Sequence, residues 1–187
     1  MDLSKSLYES ENVCLGPIDF EKDPEIIARW TQDAEYLQYL DQEPAMPRSA
    51  PQVKKQLEKI EKDSEESHNL FHYTIRLHGD DRLVGLASIR WIDWTNGNGW
   101  LQLGIGEAQD RGKGLGREAL GLLLGIGFNE LNLYRLTAGI QEYNQAALHL
   151  FQHYGFIEEV RRRQAVYRFG RRWDHLIYGL LAEEWQR

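Results

Sequence analysis

The hydrophobic pattern of the chain changes its period near residue 71. Before that point, apolar residues recur every three to four positions, as in the charged segment that carries Val53, Leu57 and Ile60 on one stripe. This spacing is typical of a surface helix. From Phe71 onward, apolar runs such as FHYTIRL and LVGLASIRW are separated by the turn sequences HGDD and TNGNG, which predicts antiparallel strands. The chain therefore combines an N-terminal group of helices with a sheet.

The whole pattern predicts a mixed α/β order of elements. A short strand over NVCLGPI precedes two to three helices, the first capped by Asp23 and the second running roughly from Asp33 to Leu40. Three strands, a helix, a strand, a second helix and two or three final strands follow, so the centre is strand, glycine loop, helix and strand. Because no stretch resembles a linker or a repeat, we expect a single domain over residues 1–187.

The central loop, QDRGKGLGREAL, contains three glycines at alternate positions, Gly112, Gly114 and Gly116. Glycine lets the backbone turn and approach a ligand without a Cβ in the way. The first N–H groups of a helix have no partner within it, and the helix dipole adds partial positive charge at the same place. The loop is thus suited to a phosphate. Three flanking side chains add further positive charge: Arg111, Lys113 and Arg117.

Two common phosphate-binding motifs do not fit this loop. A Walker loop needs four residues between its first glycine and GK[ST], but five separate Gly106 from Gly112, and Gly114 stands where Ser or Thr should hold magnesium. The dinucleotide motif G-x-G-x-x-G meets an arginine at its last glycine position. The pattern that fits is R/Q-x-x-G-x-G/A, formed by Arg111, Gly114 and Gly116.

That pattern resembles the pyrophosphate loop of the GNAT superfamily, the acetyl-CoA-dependent N-acetyltransferases. The later segment NQAALHLFQHYGF is similar to the family's N-x-x-A-x-x-L-[YF]-x-x-x-G-F segment, with Asn144, Ala147, Leu150, Gly155 and Phe156 in place. The sequences FNELNLYRLTAGI and YRFGRRWDHLIYGLLAEEW resemble the branch that includes ribosomal-protein N-terminal acetyltransferases and spermidine acetyltransferases. The resemblance extends from about residue 13 to the end and is strongest over 100–160.

The resemblance implies an α/β fold with a mixed, mostly antiparallel central sheet, whose splayed central strands are flanked by helices. It implies an acyltransferase that moves the acetyl group of acetyl-CoA to a primary amine. Loop amides would hold the pyrophosphate, and the preceding strand would pair with the pantetheine arm. Asn144 fits either a cofactor contact or the N-cap of its helix. The implied cofactor-binding residues are Leu103, Gly104, Ile105, Arg111, Gly112, Lys113, Gly114, Leu115, Gly116, Arg117, Asn144 and Phe151.

The catalytic positions depart from the pattern of the family. Many relatives use a tyrosine as acid where this chain has Phe151, which cannot donate a proton. Tyr143 and Tyr154 are candidate substitutes, although each also fits as a core aromatic. The strand WLQLGI lacks the glutamate that serves as base in many relatives, and its Gln102 can only orient a water. The remaining candidates for the base are Glu142, Asp93, His72, His149 and His153.

Three functions stay open at this point. The acceptor is a polyamine or other small amine, or it is a protein N-terminus, or the chain is a non-catalytic acyl-CoA-binding module that has lost the usual acid and base. By family analogy, an aromatic and acidic mouth would be formed by Tyr36, Tyr39, Asp41 and Glu43. Such a mouth suits a cationic amine.

Composition narrows the class of protein further. The net charge is −7, and the acidic excess lies in the first 70 residues, which argues against a nucleic-acid binder with a broad basic face. The single cysteine, Cys14, excludes an internal disulfide or a cysteine-based zinc cluster, and we expect no metal. No apolar run approaches the roughly 20 residues of a membrane span, and the N-terminus lacks the pattern of a secretion signal. We therefore expect a cytoplasmic protein that does not bind membranes, and by family analogy a homodimer through the C-terminal strands.

Overall fold

The computed structural model describes residues 7–40 and 44–185, and its strands join one seven-stranded sheet in the order β1-β2-β3-β4-β5-β7-β6. The strands are β1 (Val13–Gly16), β2 (Phe71–Leu77), β3 (Leu83–Asp93), β4 (Asn98–Ile105), β5 (Arg135–Gln141), β6 (Ile157–Arg168) and β7 (Arg171–Leu181). The helices are α1 (Asp23–Trp30), α2 (Ala34–Leu40), α3 (Ala50–Ser67), α4 (Leu115–Gly125) and α5 (Gln145–His153). The predicted order of elements is confirmed, with two final strands.

The sheet divides between β4 and β5. Every other neighbouring pair is antiparallel, whereas β4 and β5 run parallel and pair only from Asn98 and Arg135 to Trp100 and Thr137. Beyond that point, residues 101–105 of β4 do not pair with residues 138–141 of β5, so the two strands splay apart. The expected fold class, mostly antiparallel with splayed central strands, is confirmed.

Helix α4 connects the two splayed strands and supplies much of the main core. A parallel pair needs a crossover connection, usually a helix. Leu120, Leu123 and Leu124 of α4 are fully buried against the sheet. A single π-helical turn, Ile126–Glu130, extends the helix before the chain enters β5. The burial of α4 fixes the position of its N-terminus at the end of β4.

A second, smaller core holds the first three helices on the sheet. It contains Trp30, Tyr36 and Leu57. Asp23 was predicted to cap α1, but it is the first helical residue, and Lys22 occupies the N-cap position. The buried Asp23 carboxylate instead accepts hydrogen bonds of 2.8 and 2.7 Å from Nη2 of Arg76 on β2. A buried carboxylate requires such a partner, and this ion pair fixes α1 on the sheet.

Across the described ranges, no helix combines the length and the apolar character that a membrane crossing needs.

Candidate active site

The loop between β4 and α4 presents free backbone N–H groups. Gly112 and Gly114 have φ angles of 75° and 86°. A Cβ at either position would meet nothing within 4 Å, so the left-handed backbone, and not crowding, requires glycine there. The N–H groups of residues 112–116 donate no hydrogen bond to any residue that the structure describes. They lie at the positive end of the α4 dipole, and this position suits an anion.

The three cations beside this loop have different roles. Nη2 of Arg111 donates hydrogen bonds of 2.6 Å to Oδ2 of Asp33 and 2.6 Å to the carbonyl of Gly106. Arg111 therefore connects α2 to the end of β4, and its charge is balanced by a carboxylate instead of facing the loop as expected. Lys113 Nζ lies 3.9 Å from Asp110, and Arg117 is exposed.

The Arg111 contact also holds Asp33 in its ionised form. Burial on its own would favour the protonated acid, but the hydrogen bond from Arg111 and those from the backbone of Tyr36 and Glu35 outweigh it, so the pKa of Asp33 lies below its usual value. The ion pair stays intact at neutral pH, and the position of α2 beside the loop is preserved.

A cavity of about 530 Å³ lies between the loop, β4, α2 and α5; we call it the donor cavity. Most of the predicted cofactor-binding residues line it: Leu103, Gly104, Ile105, Arg111, Gly112, Gly114, Gly116, Arg117, Asn144 and Phe151. Two do not, because the Leu115 side chain is buried in the core and Lys113 points into solvent. The sequence-predicted residues are thus brought together around one cavity.

Asn144 joins the donor cavity to the start of α5. Its Oδ1 accepts a hydrogen bond of 3.1 Å from the N–H of Ala147, which confirms the predicted N-cap. Its Nδ2 donates to the carbonyl of Tyr39 at 3.4 Å. The cap role does not remove Asn144 from the site, because the residue lines the donor cavity as well.

A second cavity, of about 280 Å³, opens on the other side of the splay; we call it the acceptor cavity. It shares wall residues with the donor cavity, namely Tyr39, Leu40, Leu103, Asn144, Ala147 and Phe151. The remaining walls come from β3, β4, β5, β6 and β7 and include Arg90, Trp91, Trp100, Gln102, Gly139, Gln141, Arg162, His175 and Ile177. The two cavities therefore adjoin along β4 and α5, beside the splay.

The rim of the acceptor cavity is aromatic. A bulge in β3 between Arg90 and Asp93 places Trp91 at a φ of 52° and leaves its side chain 60% exposed. The Trp91 ring stands edge-on to Trp100 at a centroid distance of 5.8 Å, and the guanidinium carbon of Arg90 lies 4.3 Å from its centroid. Such rings offer a large, rigid contact surface.

The described lining of the acceptor cavity carries positive charge, and the acidic mouth stays a prediction. Among the described lining residues there are two arginines and a histidine, Arg90, Arg162 and His175, and no carboxylate. Tyr39 lines both cavities and Tyr36 lines the donor cavity. Asp41 and Glu43, which were predicted to supply the acid, lie outside the described residues.

The predicted acids are occupied by structural hydrogen bonds. The hydroxyl of Tyr143 donates to the carbonyl of Gln38 at 2.6 Å, and that of Tyr154 donates to the carbonyl of Arg117 at 2.7 Å. Tyr143 lines the donor cavity, whereas Tyr154 lines neither cavity. These contacts join the helices around the site instead of presenting a proton to it.

The predicted bases also lie away from the gap. Glu142 accepts a hydrogen bond from the N–H of Asp174 at 3.1 Å and pairs with Arg161 at 3.4 Å. Glu142, Asp93, His72, His149 and His153 are absent from the walls of both cavities.

His175 is a titratable residue of the acceptor cavity that the sequence interpretation missed. Its segment, DHLIYGLL, matches neither motif, and only the pairing of β7 with β5 brings it to the gap.

Comparison with known proteins agrees with this geometry. The family described as "Acetyltransferase (GNAT) domain" matches residues 12–157. The SPbeta prophage-derived N-acetyltransferase YokL of Bacillus subtilis is 26% identical over 185 residues, covering 98% of this chain and 98% of the relative.

Two solved structures have a similar fold. Spermidine N-acetyltransferase from Vibrio cholerae, in complex with CoA and spermine, superposes with a TM-score of 0.79 at 20% identity, covering 92% of this chain and 96% of that one. The ribosomal alpha-N-protein acetyltransferase RimL, in complex with coenzyme A, gives a TM-score of 0.79 at 18% identity, covering 92% and 95%.

The chain belongs to the GNAT acetyltransferase family, as the resemblance of its motifs implied. It is an acyltransferase, and its donor is acetyl-CoA, the donor of that family.

A valine at Gly114 tests the loop against a matched control. Gly170, in the turn between β6 and β7, has a φ of 74° and equally open space around its Cβ. A β-branched residue at either position carries backbone strain of about 1–3 kcal/mol, so both variants should lose similar stability in urea unfolding. Only Gly114→Val should weaken acetyl-CoA binding, by about tenfold or more in Kd by calorimetry, roughly 1.4 kcal/mol. Equal affinities for the two variants would contradict the loop assignment.

Proposed function

We propose that the chain acetylates the N-terminal amine of a peptide or protein, in preference to a polyamine. The observation that carries this choice is the charge of the acceptor cavity. Arg90 and Arg162 line its described part, and their positive charge disfavours a ligand with several positive charges. The aromatic rim of Trp91 and Trp100 suits the side chains that follow a peptide N-terminus.

The donor cavity accounts for the binding of acetyl-CoA in two parts. The free N–H groups of residues 112–116 would receive the pyrophosphate at the start of α4. The unpaired edge of β4, residues 101–105, would take the pantetheine arm as an added strand. In that arrangement the acyl end points toward the gap between β4 and β5.

The transfer needs a donor for the carbonyl oxyanion, a group that takes the amine proton, and a leaving thiolate. Backbone N–H groups on the unpaired edge of β4 supply candidate oxyanion donors. Phe151, 5% exposed, packs edge-on against Phe156 at a centroid distance of 4.9 Å and offers no proton. We therefore expect the thiolate to leave without a proton from the side chain at this position.

Tyr36 carries a buried hydroxyl that faces the donor site. The side chain is 5% exposed, and the hydroxyl oxygen has no hydrogen-bond partner among the described residues. A Cβ at Gly104 would lie 3.5 Å from that oxygen, so the hydroxyl lies beside the strand assigned to pantetheine. Burial raises the pKa of Tyr36, although nearby Arg111 lowers it in part, so the group stays a proton donor. We assign it as a donor to an oxygen of the bound acetyl-CoA.

Tyr36→Phe should change stability and affinity in opposite directions. An unpaired buried hydroxyl costs about 1–3 kcal/mol, so its removal should raise the free energy of unfolding of the unliganded protein. The same change should weaken acetyl-CoA binding by about tenfold, because the bound donor substrate loses a hydrogen bond. Urea unfolding and calorimetry measure the two effects.

Tyr143→Phe is the matched control for this prediction. It also lines the donor cavity, but its hydroxyl is satisfied by Gln38, so its loss should destabilise the protein and leave affinity within about threefold. If Tyr36→Phe left acetyl-CoA affinity unchanged, the donor role of Tyr36 would be wrong.

Isotope-labelled acetyl-CoA tests the choice of acceptor. The protein is incubated with a ribosomal-protein extract, and separately with a deproteinised metabolite pool supplemented with spermidine. We expect label on protein N-termini, located by mass spectrometry, and none on spermidine, with the Gly114→Val variant giving the background of uncatalysed acetylation. Label on spermidine would overturn the acceptor assignment. Tight acetyl-CoA binding with no transfer in either pool would instead favour a binding module.

A further inference from the structure

We propose that His175 is the general base of the transfer and takes the proton of the acceptor amine. This inference rests on the proposed function, because it assumes that an amine enters the acceptor cavity. It assigns a catalytic role to a residue that neither family motif contains.

The position of His175 follows from the pairing of three strands. On β7 it lies opposite Gln141 of β5 and Arg162 of β6. A Cβ on Gly139 would lie 2.7 Å from its Nε2, so the imidazole covers Gly139 on the side of the acceptor cavity. The absence of a side chain at residue 139 is what allows the ring to reach this place.

The ring also lies at the level where the gap begins. The last pair of β4 and β5 is Trp100 with Thr137. Gln102 lies two residues after this pair on β4, and Gly139 lies two residues after it on β5. The two residues therefore stand on opposite sides of the gap, roughly 7 Å beyond the last pair. The imidazole over Gly139 therefore lies beside the start of the gap between β4 and β5. A thioester carbonyl that reaches this opening meets the amine next to His175.

The charges around His175 favour its neutral form. Arg162 faces it from β6, and Arg90 and Gln102 line the same cavity from β3 and β4. Burial lowers the pKa of His175, and the positive charge of Arg162 lowers it further. A histidine whose pKa lies below its ordinary value of about 6.5 is neutral at neutral pH, so one of its ring nitrogens can accept a proton.

Two carboxylates beside His175 in the part of the chain that the structure describes are bound by other groups. Asp174, adjacent to His175, accepts a hydrogen bond of 2.9 Å from the N–H of Gln164 and pairs with Arg161 at 3.0 Å. Glu142 pairs with Arg161 as well. The same positive surroundings lower the pKa of a bound amine. They therefore favour the unprotonated forms of both the His175 imidazole and the acceptor amine, which the attack requires.

The proposed step balances in atoms and charge. The amine nitrogen forms a bond to the thioester carbonyl carbon, the carbon–sulfur bond breaks, and its electron pair leaves on sulfur. His175 receives the amine proton and passes it to the departing thiolate or to solvent. An acceptor that arrives as an ammonium ion first releases one proton to solvent.

Bromoacetyl-CoA tests the position of His175 without a known acceptor. Bound in the donor cavity, its bromomethyl carbon should be attacked by the imidazole, with loss of bromide and of the ring proton. We expect peptide mass spectrometry to find the adduct on His175, to find it suppressed by excess coenzyme A, and to find none in His175→Gln. An adduct on another residue, or no adduct while coenzyme A still binds, would overturn only the assignment of the base. Failure of coenzyme A itself to bind would overturn the proposed function and the base together.

Kinetics with glycinamide as a minimal α-amine tests the role. General-base catalysis contributes about 10²–10⁴-fold, so His175→Gln should lower kcat by that factor and leave the KM for acetyl-CoA within about twofold. In the native protein kcat/KM should fall as pH decreases through a pKa below 6.5, since protonated His175 is inactive. In the His175→Gln variant kcat/KM should no longer show this fall at acidic pH.

The control variant is His149→Gln, which changes an exposed histidine outside both cavities and should behave like the native protein. A His175→Gln variant with kcat within about threefold of native and the same pH profile would overturn the proposal.

Discussion

The early end of pairing between β4 and β5 is the constraint on which the rest of the structure depends. A continuous sheet would satisfy both strand edges and leave no room for a ligand between them. Here the ladder stops after three residue pairs; the unpaired part of β4 lines both cavities, and the unpaired part of β5 lines the acceptor cavity. Unpaired backbone groups need partners, and an acyl-CoA donor that adds to β4 as an extra strand can provide them. The fold thus contains a place for the donor substrate that the protein itself does not fill.

The surrounding elements hold this opening in position. Helix α4 packs its leucines into the core, and this packing fixes the N-terminus of the helix at the end of β4. The glycine loop presents its free N–H groups there. Arg111 joins α2 to the same point through Asp33, so its guanidinium stabilises the wall of the donor cavity. Lys113 and Arg117 supply positive charge beside the loop. In the function that we propose, the loop and β4 hold the donor, and β3, β5, β6 and β7 provide the chamber for the amine.

The fold and the donor half could be predicted from the sequence because their determinants are local. The loop and the start of α5 are each contained in about a dozen consecutive residues, and the strands and helices around them have clear periodicity. The acceptor half depends on pairing between distant segments, and no local pattern reveals that Gln141 lies opposite His175 or that Gly139 leaves space for its ring. The ion pair between Arg111 and Asp33 and the ion pair between Asp23 and Arg76 were missed for the same reason, since each joins segments far apart in sequence.

Hydrogen–deuterium exchange with and without coenzyme A reports on the backbone N–H groups that we assign to donor binding. We expect saturating coenzyme A to slow exchange in two segments, residues 101–105 and 112–116, and to leave exchange in the outer strands β1 and β2 unchanged. Protection of the loop alone would contradict the strand-addition part of the account. Protection in neither segment, despite binding, would contradict the claim that the splay between β4 and β5 is the donor site.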